Sequence, residues 1–92
     1  MPVILGVVPG SQSGLLQNMR SWIDQYRPGH TLQEFMVDDS IRSKIAMLVY
    51  KQIRLSDAAL VGILIEPSCH SEHEQTSLRN LAMSQGLSFY LL

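Results

Sequence analysis

The chain reads as a small α/β domain, with four parallel strands in the spatial order 2-1-3-4 and helices on both faces of the sheet. Three observations carry this reading. Two runs, residues 3–8 and 58–65, are apolar almost throughout, as strands covered on both faces are. Between the runs, apolar residues recur at helical spacing. The two kinds of segment alternate as β-α-β-α-β-α-β, an order that suits parallel pairing through helical crossovers.

The first strand spans residues 3–8, and the turn "PGSQS" follows at 9–13. Leu15, Leu16, Met19, Trp22, Ile23 and Tyr26 then form the stripe of a first helix, for which Ser11 or Ser13 is a suitable cap. "RPG" at 27–29 stops that helix. "TLQEFMV" at 31–37 mixes polarities: Leu32 and Met36 face one way with Glu34 between them, and Phe35 and Val37 face the other with Gln33. That pattern tolerates water and places the strand at an edge. "DDS" at 38–40 supplies a cap. Ile41, Ile45, Leu48, Val49 and Ile53 give the second helix, with Arg42, Lys51 and Arg54 expected on its wet side.

"AALVGILI" at 58–65 is the most continuous apolar run and is expected to be a central strand. The loop "EPSCHSEHE" leads into a third helix, where Ser71 and Glu74 fit a capping box. Leu78, Leu81 and Ala82 form its buried stripe, Gly86 ends it, and "LSFYLL" closes as a fourth strand. Right-handed crossovers and central placement of the two most apolar strands give the order 2-1-3-4. The result is a doubly wound sheet of flavodoxin-like or Rossmann-like type, in one domain covering residues 1–92. Ligands on such sheets bind beyond the carboxyl ends of the strands, where the winding reverses. Here that is the crevice between strands 1 and 3, lined by residues 9–13, by Asp38 and Asp39, and by residues 66–70.

Composition narrows the function classes. Seven basic residues against eight acidic ones leave a net charge of −1, so there is no field to attract nucleic acid or an anionic membrane. No apolar run approaches the roughly 20 residues of a membrane span. The opening lacks the basic flank of a signal peptide, and the single cysteine, Cys69, leaves no internal disulfide. A cytoplasmic location is the expectation.

The opening loop is a candidate anion site. Gly10 allows a close approach, and Ser11, Gln12 and Ser13 add donors at a helix start. The lysine of a phosphate loop is missing, with Leu15 in its place. "VVPGSQSGLL" resembles the start of the IIB components of the sugar phosphotransferase system. Their nucleophilic cysteine would fall near Pro9 or Gly10, so the resemblance does not imply phosphoryl transfer.

The densest polar cluster is "EPSCHSEHE". Cys69 and His73, like His70 and Glu74, are four residues apart, and His70 and His73 are three apart, a spacing that could bring thiolate and imidazole to a zinc ion. A second ligand pair is lacking, so no metal or other cofactor is expected. "SDAALVGIL" and "SEHEQTSLRNLAMSQGLSFYLL" are similar in outline to the end of nucleoside deoxyribosyltransferases and TIR-like domains. That resemblance implies Glu72 or Glu74 as the acidic residue near an N-glycosidic bond.

Three functions follow as expectations. The first is a ligand-binding or regulatory module that takes a small anionic ligand, a nucleotide among the candidates, through Gly10, Ser11, Gln12, Ser13, Asp38, Asp39, Glu66 and His70. Its weakness is that no basic residue is expected at the strand ends. The second is an assembly module without a ligand. The third is an enzyme of nucleosides or phosphate esters using Glu66, His70 or Glu72. An apolar last strand without Lys or Pro guards also predicts a homo-oligomer joined through residues 87–92.

Overall fold

The sheet is built on β1, Pro2–Pro9, seven of whose eight residues are buried. A computed structural model of the chain describes residues 1–56 and 59–92. The other strands are β2, Thr31–Val37; β3, Ala59–Ile65; and β4, Ser88–Leu91. All pairs are parallel and the order is β2-β1-β3-β4. The architecture is therefore the small flavodoxin-like or Rossmann-like sheet expected from the alternation of elements. Ala58, the expected first residue of the third strand, lies outside the described residues.

Three helices cover the sheet: α1, Leu15–Tyr26; α2, Ile45–Leu55; and α3, Glu72–Ser84. On one face Ile4, Val8 and Leu64 pack under Met19 and Ile23 of α1. On the other, Leu5, Val7, Val37, Ile63 and Ile65 pack under Ile45 and Val49 of α2 and Leu78 and Ala82 of α3. Each such side chain is worth about 1.5–3 kcal/mol when fully buried, so the two central strands dominate the stability. The β1–β3 register slips between the pairs Val3–Leu60 and Ile4–Gly62. Val61 is the extra residue of a bulge, which turns Val61 and Leu64 toward α1 and Leu60 and Ile63 toward α2 and α3.

The termini of the helices refine the sequence reading. α3 starts on the expected capping box: Ser71 accepts from the Glu74 N–H, and Glu74 accepts from the Ser71 N–H. Gly29 and Gly86 have positive φ, 85° and 68°, conformations that glycine adopts without strain. The cap expected from Ser11 or Ser13 is not formed. Gly10–Gln12 makes a separate 3-10 turn, and Gly14 precedes α1 without a side-chain bond. The second helix starts later than its apolar stripe suggested. Asp39–Lys44 is a 3-10 segment kinked at Ile41, with φ −121° and ψ 23°, and Ile41 is exposed rather than buried.

Candidate functional site

The three expected loops do meet at the carboxyl end of the sheet, and the residue that joins them is Arg42. Its Nη2 donates to Glu74 Oε1 at 2.9 Å and to the Cys69 carbonyl. Its Nε donates to Glu74 Oε2 at 3.3 Å, and Nη1 lies 3.6 Å from Asp39 Oδ1. Asp39 Oδ2 in turn accepts the Ser11 N–H at 3.0 Å. Because β1 lies between β2 and β3, this chain of contacts passes over the end of β1.

The expectation of a carboxyl end without a basic residue is thereby corrected, as is the placement of Arg42 on the wet side of α2. Both readings assumed an unbroken helix from Ile41 onward. The kink and the 3-10 winding, with about three residues per turn rather than 3.6, change the phase and direct Arg42 inward. Lys51 and Arg54 are exposed as expected.

The other candidates fall into two groups. Asp38 and Glu66 are bound to their own loops in the same way, each accepting from the N–H and hydroxyl of a serine two residues on. For Asp38 both distances to Ser40 are 2.9 Å; for Glu66 those to Ser68 are 3.0 and 2.9 Å. The Ser40 N–H, assisted by its hydroxyl, holds the Asp38 carboxyl below its ordinary range. Gly10, Gln12 and Ser13 are exposed on the opening loop, and Glu72 is exposed in the first turn of α3. A Cβ on Gly10 would meet the Val37 carbonyl at an ordinary 3.5 Å, and one on Gly14 would meet nothing within 4 Å. Neither has positive φ, so the fold itself does not require glycine at either position.

His70 is the most enclosed polar side chain of the group, with none of it exposed. Its Nδ1 lies 3.7 Å from Glu74 Oε1, and neither ring nitrogen has a hydrogen-bond partner among the described residues. Burial pushes the imidazole below its ordinary value. The pull of Glu74 and Glu66 does not restore it, and Arg42 adds to the depression. The ring is therefore neutral near pH 7. Burial raises Glu74, but the Ser71 N–H and the Arg42 guanidinium outweigh it and hold the carboxyl low.

Among the described residues no three of His, Cys, Asp and Glu are placed to share a metal ion, so the spacing of Cys69, His70, His73 and Glu74 does not become a cluster. A cavity of about 250 Å³ lies at the opposite, amino end of β2, lined by Arg20, Ile23, Asp24, His30, Thr31 and Leu32. Sequence reasoning missed it because it forms between α1 and β2, which only packing brings together. No helix among the described residues is long and apolar enough to cross a membrane. Comparison with protein-family models, with curated proteins and with solved structures gives no match.

Proposed function

We propose that the chain is a binding module that takes a small anionic ligand at the carboxyl ends of β1 and β3. The observation that carries this reading is the convergence of a hydrogen-bond donor and a cation on one carboxylate, the Ser11 N–H bonded to Asp39 Oδ2 at 3.0 Å and the Arg42 guanidinium 3.6 Å from Oδ1. The two come from different loops. A phosphate or carboxylate ligand offers the same oxygens. Asp39 stands where the anion would bind and competes with it. The two glycines at the mouth, which the fold does not require, leave the backbone open to a ligand.

Affinity in this reading is modest, because Arg42 is already paired with the carboxylates of Glu74 and Asp39. Asp39 is 41% exposed, so its contact with Arg42 is worth only about 0.2–1 kcal/mol. Removing its charge therefore tightens anion binding by up to about fivefold, since 1.4 kcal/mol is tenfold. The test is a titration with inorganic phosphate, followed by amide chemical shifts of residues 10–14. Asp39→Asn binds phosphate more tightly than the natural chain, and Arg42→Gln does not bind it. Equal responses in all three, or none, would remove the proposal, because a general salt effect does not depend on Arg42.

A further inference from the structure

We infer that the outer edge of β4 is a self-complementary interface, on which a second copy of the chain pairs antiparallel about a two-fold axis at Tyr90. The main-chain groups carry the argument. The Leu92 N–H donates to the Ile65 carbonyl of β3 at 2.8 Å. N–H and C=O groups alternate sides along a strand, so those of Tyr90 also turn toward β3. The groups of Phe89 and Leu91 then lie on the open edge, two donors and two acceptors in all.

Two copies satisfy all of them in a single register. Phe89 opposite Leu91 of the second copy is a hydrogen-bonded pair, and the two-fold axis repeats it. Four bonds form and no group on either edge is left over. Tyr90 then faces its own counterpart in the intervening non-bonded pair, where side chains approach most closely. Any other register leaves an outward group of this short strand unpaired. A contact of this type is isologous and closes at two copies.

The side chains suit that occupant. β4 and the residues flanking it, "LSFYLL", hold no charge, and a net charge of −1 sets little repulsion between copies. Leu91 is half exposed and would gain cover from Phe89 of the second copy. On the other face Tyr90 belongs to an aromatic group. Trp22 lies 5.3 Å from it and 5.5 Å from Tyr26, and Arg27 lies 4.9 Å over its ring. Among the described residues α1 is the helix packed on that face of the sheet, and Arg27 is the charge nearest the axis. Two four-residue strands alone fall short of the roughly 800 Å² per partner of a stable interface, so the association is weak and concentration-dependent.

Sedimentation over a micromolar-to-millimolar series reads the mass, which rises from one copy to two. Leu91→Pro removes an outward N–H and leaves the bonds to β3 intact, since proline is tolerated on an edge. It weakens dimerisation at least tenfold while the melting temperature of the dilute protein is kept. In a Cys69→Ser background, Tyr90→Cys joins two copies by a disulfide under mild oxidation and Ser88→Cys does not, which fixes the register. A natural chain that stays monomeric at millimolar concentration overturns the inference, and so does a dimer that Leu91→Pro leaves unchanged. These readouts need no ligand and are independent of the anion titration.

Discussion

β2 and β4 are the two margins of one sheet, and they meet the solvent differently. β2 is seven residues long. Its Glu34 pairs with Arg20 of α1, and its Gln33 accepts from Ser56 at 3.2 Å. β4 is four residues long and carries no charge. Yet both margins seat a side chain over a glycine of a central strand. A Cβ on Gly6 would lie 2.8 Å from Leu32 of β2, and one on Gly62 would lie 2.5 Å from the Tyr90 ring of β4. One margin is guarded by a charge held in place by its neighbour helix. The other is kept short and closed by an aromatic ring. Burying a charge at an edge adds a penalty to pairing, whereas shortness only limits the number of bonds that pairing can form.

The largest expected effect breaks the β4 side. Gly62→Ala puts a methyl group into the space of a rigid ring and costs about 1–3 kcal/mol, read by chemical denaturation. Gly6→Ala meets a Leu32 methyl, the end of a flexible chain, and the polarizable sulfur of the buried Met19. It costs about 1 kcal/mol or less, part of it offset by the lower backbone freedom of alanine. If the two variants lose the same stability, the contrast between a rigid and a yielding margin is wrong.

The next effect is pH-dependent and acts through His70, which lies after β3 on the side of the sheet nearer β4. Its folded pKa is below the ordinary 6.5, so the unfolded chain binds more protons as pH falls through that value. Its contribution to stability is therefore complete above 6.5 and is lost as pH drops toward the folded pKa. Glu74 adds a separate loss at lower pH. Its depressed carboxyl stabilises above the ordinary 4.5, and that support goes as pH falls through the folded value. His70→Leu leaves two unpartnered nitrogens out of the interior and changes stability by about 1 kcal/mol or less at neutral pH. It flattens the decline that sets in as pH falls below about 6.5, seen by thermal melting. A variant with the same decline as the natural chain would show that another group is responsible.

The smallest effect belongs to β2. Arg20 and Glu34 are 53% and 36% exposed, so Arg20→Ala costs about 0.5 kcal/mol or less. Its use is to sharpen the comparison, since Glu34 remains as the guard. The variant dimerises no more strongly than the natural chain in sedimentation, whereas Glu34→Val opens the β2 edge to association.

The legible parts of the sequence were those where local chemistry and tertiary position agree. The apolar run at 3–8 has the length and the Val/Ile content of a strand buried on both faces, and it is one. Ser71 and Glu74 form a cap whose two bonds span three residues. The mixed polarity of β2 placed it at an edge, with Leu32 on the α1 side and Phe35 on the other. Of the candidate site, the convergence of three loops could be read from strand order. The role of Arg42 could not, because one kink at Ile41 decides which way its guanidinium points.

By itself the sequence determined the elements, their order and the central place of the two apolar strands, because periodicity and burial are repeated over many residues and errors in one are outvoted by the rest. Tertiary structure alone decided the Arg42 bridge, the enclosure of His70 and the seating of Tyr90 on Gly62. The first and the last each depend on a single side chain meeting a segment 27 or more residues away. No local pattern encodes such a meeting, since its energy comes from the partner that folding brings within reach.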